Sequence, residues 1–346
     1  MYKTIFAGAI GLFFSLVAGA ADADHLLFFE AQGIAGYSSE VRRPITYSQN
    51  PDAEMQKSSV GFDYLQRISG ETGDVATFAL QARLALTEDN PRGTDYGSRE
   101  NRHTFTLEPQ IYNAYMKVKT PLSYLWVGHN RPAFGLSSYF DSHGLILRTL
   151  AIQGFGYDRD WGAGLYRDFS WGDVSASLTT GTGMPLFVDS ELVTKGNYMT
   201  AARISYGVQS QDNFNLGFSM GYGNTLDTMG YRLRDPEPKA MRLAGLDLTI
   251  LRNNLEHRFD VYAGKWLDQD TLAISYRFGV NVDQEGRLKI EAQPTYWKFG
   301  EEYDYEAALC LSSQVTSNLT LRLGYTYDHN KDDNRVLLQL YYYLPI

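Results

Sequence analysis

From residue 213 onward, apolar side chains alternate with small or polar ones: Phe214, Leu216, Phe218, Met220 and Tyr222 are separated by Asn215, Gly217, Ser219 and Gly221. Successive strand side chains point to opposite faces, whereas a helix repeats every 3.6 residues, so this period of two specifies a strand with one apolar and one polar face. The pattern returns in Leu272, Ile274, Tyr276, Phe278 and Val280, and in Leu319, Leu321, Leu323, Tyr325 and Tyr327. Earlier, Phe78, Leu80, Ala82, Leu84 and Leu86 face one way while Thr77, Ala79, Gln81, Arg83 and Ala85 face the other. No long amphipathic helix pattern lies between these segments.

The first twenty residues follow a different pattern. Lys3 is followed by an almost unbroken apolar run over residues 5–17 and then by Ala18-Gly19-Ala20. A basic start, an apolar stretch and a small-x-small site together read as a removable secretory signal. The run is shorter than the roughly 20 residues a membrane-spanning helix needs. Residues 1–20 are therefore expected to be a signal peptide, and 21–346 the folded unit.

Composition narrows what that unit is. Tyr 25, Phe 18 and Trp 5 make the chain aromatic-rich, and mean hydropathy is slightly negative although 44% of residues are hydrophobic. Apolar and polar residues must be finely interleaved, as in strands that meet lipid on one face and water on the other. A formal charge of −9 argues against nucleic-acid partners, whose phosphates select basic surfaces. Cys310 is the sole cysteine, which excludes an intramolecular disulfide framework, a cysteine metal cluster and covalent haem attachment. No cofactor is expected.

Connections alternate in length. Short ones fall at 70–74, 120–122, 170–172, 208–212, 253–255, 282–285 and 316–317; longer polar ones fall at 39–57, 88–102, 183–195, 224–240 and 328–333. Outer-membrane barrels place short turns at the periplasmic rim and long loops outside. The strands between them are expected at 25–38, 58–69, 75–87, 103–119, 123–130, 160–169, 173–182, 196–207, 213–223, 241–252, 256–266, 271–281, 286–298, 304–315, 318–327 and 335–345. These sixteen predict an all-β, transmembrane, antiparallel up-and-down barrel. Residues 131–159 include the apolar run 145–152, but a strand there would make the count odd and reverse the loop alternation. They are read as a loop folded into the lumen.

Residues 124–136, YLWVGHNRPAFGL, resemble the end of the strand before the constriction loop in bacterial porins of the general and phosphate-selective types. The stretch here has PAFG in place of PFG, and no phosphate preference is carried over. The terminal alternation of Leu338, Leu340, Tyr342, Leu344 and Ile346 is similar to porin tails, although it ends in Pro345-Ile346 rather than an aromatic residue. The resemblance implies a channel for passive diffusion of small hydrophilic solutes and location in a Gram-negative outer membrane. It also implies contact with lipid and lipopolysaccharide, insertion by the barrel-assembly machinery, and a homotrimer.

Strand phase nominates the residues that would line the pore. Arg67, Arg83, Lys117, Lys119, Arg203, Arg258, Arg277, Lys289 and Arg322 project inward with Glu30, Asp63, Asp247, Asp260, Glu291 and Glu306; Arg131, Asp141, His143, Arg148, Asp158, Arg159 and Asp160 lie on the inner loop or at its end. A mild excess of bases over acids, opposed across a constriction, suggests a weak anion preference. Each charge could equally be a solvated lumen group paired with a neighbour. Tyr64, Tyr124, Trp126, Tyr198, Tyr222, Tyr325 and Tyr342 suit interfacial girdles, or alternatively a stacking path for sugars.

Catalytic signatures are lacking. The histidines form no H-E-x-x-H, there is no G-x-S-x-G, and Asp141-Ser142-His143 would point its side chains apart in an extended chain. The acidic tip at 328–333 lacks the spacing of a calcium loop and reads as solvated. A scaffold or sheath barrel around a partner protein is the alternative reading; an outer-membrane enzyme is a third.

Overall fold

A computed structural model describes residues 24–48, 57–70, 73–89, 104–138, 144–183, 195–210, 212–229 and 232–346. They form strands β1 (His25–Ser38), β2 (Arg43–Ile45), β3 (Ser59–Gly70), β4 (Gly73–Asp89), β5 (Thr104–Lys119), β6 (Tyr124–Asn130), β7 (Asp160–Phe169), β8 (Gly172–Thr179) and β9 (Tyr198–Gly207). The second half comprises β10 (Asn213–Met229), β11 (Arg232–Arg252), β12 (Leu255–Trp266), β13 (Gln269–Asn281), β14 (Leu288–Phe299), β15 (Glu302–Gln314), β16 (Leu319–Asp328) and β17 (Asp333–Pro345). Residues Leu136–Ser138 make one turn of 3-10 helix. No helix among the described residues is long and apolar enough to cross a membrane.

Sixteen of these strands close on themselves. Each pairs antiparallel with its neighbour in sequence, and β17 returns to β1 from Phe28↔Pro345 to Ser38↔Arg335. Closure leaves no sheet edge unpaired, which is the condition for spanning hydrocarbon with strands. The period of two is realised as two surfaces. Met220 is 58% exposed and Tyr222 53%, whereas Ser219, next to Met220, is fully buried at 0%. The same outward apolar face includes Leu246, Leu309, Leu323 and Leu338.

Two expectations are corrected. The link 39–57 contains the short strand β2, which pairs with the end of β1 and extends the position of β3 upward. Much of the link at 224–240 is a projecting hairpin, since β10 runs to Met229 and β11 begins at Arg232. Its polar sequence hides the strands because neither face meets lipid there. The register slips between Thr225↔Lys239 and Asp227↔Asp235, where Pro236 and Pro238 sit without ladder donors to lose.

The turn-side rim carries both the start of β1 and the end of β17, so parity is as expected. Of the aromatic residues assigned to girdles, Tyr64, Tyr198, Tyr222, Tyr325 and Tyr342 take the outward phase, but Tyr124 and Trp126 face inward. Their strand alternates with Leu125 and Val127, which are the exposed pair at 44% and 59%. Both faces of β6 are apolar in sequence, so composition cannot tell them apart.

Candidate functional site

The lumen is bounded by the inward side chains of the barrel and by the described residues 131–138 and 144–159 of the connection from β6 to β7. The connection is seated on the inner wall at several heights. The amide of Ala133 donates to Ser177 Oγ on β8 (3.0 Å), and that of Gly135 to Ser219 Oγ on β10 (3.2 Å). Phe134 packs on Tyr262 of β12 with ring centroids 4.8 Å apart. Gly135 is left-handed (φ 60°), and a Cβ there would lie 2.0 Å from the Tyr262 hydroxyl. Only glycine fits this bend.

Further along, the loop is gripped through its carbonyls. Arg322 Nη1 donates to Gly144 O at 2.6 Å, Gln293 Nε2 to Arg148 O at 2.8 Å, and Arg277 Nη2 to the same carbonyl at 3.4 Å. The Arg148 side chain forms an ion pair with Glu306 of β15. Ile146 and Leu147 join an apolar cluster with Ile34, Ile45, Tyr47 and Leu337; Phe134, Leu150, Phe155 and Tyr157 join another with Met241, Tyr262 and Trp266. Three of the expected pore arginines, Arg148, Arg277 and Arg322, thus hold the loop.

Arg203 is also inward and is sealed. It is 1% exposed, with Nε and Nη2 on the two oxygens of Asp247 (2.9 and 2.6 Å), Nη1 3.4 Å from Asp173, and Nη2 donating to Asn215 at 2.8 Å. Gly217 leaves the room for this arrangement, since a Cβ there would lie 2.3 Å from Arg203 Nη2. On β12 and β14, either side of β13, Glu256, Arg258, Lys289 and Glu291 neutralise one another, with Lys289 Nζ 2.7 Å from Glu256 and 2.9 Å from Glu291.

The wall formed by β3, β4 and β5 is built differently. Gln81 pairs with Asn113 but Ala82 with Ile111, leaving Tyr112 as the extra residue of a bulge. A bulge lets two consecutive residues serve one face, and both Tyr112 and Asn113 turn inward. The guanidinium carbons of Arg83 and Arg159 lie 4.3 and 5.0 Å from the Tyr112 ring centroid. Arg159 Nε donates to Asn113 Oδ1 (3.1 Å), its Nη1 meets Asp158, and Asn113 Nδ2 donates to Gln81 Oε1 (2.8 Å). Above them Arg83 Nε donates to Gln110 (2.8 Å), and Lys57 reaches Thr87 (3.3 Å) and Glu108 (3.9 Å).

The remaining nominated residues are dispersed. Asp160 anchors the end of β8, accepting from Gly181 N (2.6 Å), Thr180 Oγ1 (2.8 Å) and Thr182 Oγ1 (3.0 Å). Arg131 is half-buried at the start of the loop. Arg67 is exposed at the turn-side rim, and Lys117 stacks there on Tyr124, 4.6 Å from the ring centroid. Asp141 and His143 lie outside the described residues. The acidic tip expected to be solvated is partly a tether: Asp333 is fully buried and accepts from Ser38 Oγ (2.8 Å) and Glu40 N (3.0 Å). Sequence reasoning missed Tyr112, which lies in a predicted strand and carries no mark of a bulge.

No protein-family model matches the sequence, and no curated protein matches it. Solved structures do. A loop L8 deletion mutant of OmpT, an outer membrane protein of Vibrio cholerae, aligns over 93% of this chain and 100% of its own at 12% identity, with a TM-score of 0.62. OmpF of Salmonella typhi aligns over 93% and 97% at 10% identity (TM-score 0.61), and an anion-selective porin from Comamonas acidovorans over 94% and 100% at 9% identity (TM-score 0.60). The fold of this chain is therefore the porin-type β-barrel.

Proposed function

We infer that the chain is an outer-membrane channel through which small hydrophilic solutes diffuse passively, and that it is not an enzyme and needs no cofactor. The observation that carries this reading is the two-surface barrel: a closed sheet whose outer face exposes Met220, Tyr222 and Leu246 while its inner face carries charged and amide side chains. Export by the segment 1–20, insertion by the assembly machinery, contact with lipopolysaccharide and assembly as a trimer belong to the same reading. Solutes would pass between the seated loop and the wall of β3 to β5.

A weak anion preference follows if Arg83, held on the Tyr112 ring, lends positive potential to this passage; Arg159 beside it is buried and paired with Asp158, so it adds little of its own. The extent to which the loop covers the inner wall supports a second reading, a scaffold barrel that holds a partner. Proteoliposomes decide between them. A pore gives swelling rates that fall with the size of neutral sugars, and a membrane potential under a KCl gradient whose sign reports chloride preference. Folded protein that admits no sugar sinks the channel; potassium preference sinks the anion part.

A further inference from the structure

At the loop-side rim, opposite the chain termini, lies a cavity of about 340 Å³ with an aromatic wall and an acidic one. Phe155 from the inner loop, Trp266 from the end of β12 and Trp297 near the end of β14 supply the rings. Tyr157, outside the lining, packs edge-on against Trp266 at 5.2 Å between centroids, and the lining rings Phe155 and Trp297 contact each other at 5.9 Å. The rings are held in place before any ligand arrives, which lowers the ordering cost of binding.

Among the described residues that line the cavity, charge is unbalanced, with five carboxylates against three cations. Two of the cations already serve carboxylates of the same wall, Arg148 in its ion pair with Glu306 and Lys331 at 3.8 Å from Asp328. Asp304 is buried and accepts from the amides of Tyr305 (2.7 Å) and Asn330 (3.0 Å), which holds its carboxylate beside that of Asp328. Asp227 and Glu302 add to the acidic side. Cavities that take small molecules occupy roughly 300–1,000 Å³ and combine an apolar body with a few convergent polar groups.

We propose that this cavity binds a small organic cation with an aromatic face, the ring lying against Trp297 and Phe155 and the ammonium turned toward the carboxylates. Indole faces attract a cation through the ring quadrupole, and the net negative lining attracts it again. A neutral sugar would gain the stacking but not the charge, and an organic anion would be repelled. The site sits at the mouth, so it depends on the fold and not on passage through the lumen.

Calorimetric titration of the folded full-length protein, in a polyoxyethylene detergent that carries neither charge nor sugar, tests it with benzyltrimethylammonium as probe. Saturable binding at least tenfold tighter than that of benzyl alcohol is expected, with benzoate and maltose weaker still. Trp297→Leu should weaken the probe about tenfold. The combined Glu302→Gln and Asp304→Asn change, which keeps the hydrogen-bond acceptor at residue 304, should bring probe and benzyl alcohol within about threefold of each other. No saturable binding by folded protein, equal binding of benzyl alcohol, tighter binding of maltose, or cation preference that survives the double change would each overturn the proposal. None of these results bears on solute passage, which the sugar-swelling measurement reads separately.

Discussion

Arg203 on β9 and Arg83 on β4 both point inward from within their strands, and both are nearly inaccessible, at 1% and 4%. Their surroundings differ in kind. Arg203 is enclosed by Asp247, Asp173 and Asn215, a set that cancels its charge and consumes its donors. Arg83 lies on the ring of Tyr112 beside a second guanidinium, with Gln110 and Ser59 as hydrogen-bond acceptors. Arg203 is therefore part of the scaffold on its wall, whereas the proposed anion preference assigns Arg83 the positive potential of the other. What separates them is the partner set that neighbouring strands deliver.

The contrast predicts a graded series. Arg203→Met should be the most damaging, because it strands two buried aspartates; removing one partner of such a pair costs about 3–5 kcal/mol, read as a lower urea midpoint for barrel unfolding. Arg148→Ala combined with Arg322→Ala should cost less, about 2 kcal/mol from charge-assisted hydrogen bonds, while releasing the loop. Its expected signature is faster cleavage between residues 131 and 159 by added protease, together with a larger single-channel conductance. Arg83→Gln should cost only about 1 kcal/mol, yet shift the reversal potential toward cations more than either of the others. If Arg203→Met changed selectivity and Arg83→Gln changed only stability, the assignment of the two walls would be inverted.

Much of this was legible beforehand for a physical reason: a barrel strand writes its two environments directly into its side chains, so Phe214 to Tyr222 declares its phase without reference to any other segment. The inner loop was legible from parity, because one additional strand would have placed long and short links on the wrong rims. What escaped depends on partners distant in sequence. Phase places Arg277 and Arg322 inside, but only the folded chain shows that Arg148 O and Gly144 O are what they meet. The Tyr112 bulge is a property of pairing, visible in the register between β4 and β5 and not in either strand alone. Tyr124 and Trp126 were misplaced because their strand is apolar on both faces.

Cysteine modification during single-channel recording tests the central division most directly. In a Cys310→Ser background, Asn113→Cys places a thiol on the β3–β5 wall, and Ser219→Cys places one on β10 beneath the loop, where Ser219 Oγ receives the amide of Gly135. A water-soluble, negatively charged thiol reagent should lower the current of open Asn113→Cys channels in a single step and leave Ser219→Cys channels unchanged. Block of the Ser219→Cys channel with the Asn113→Cys channel untouched would contradict the account.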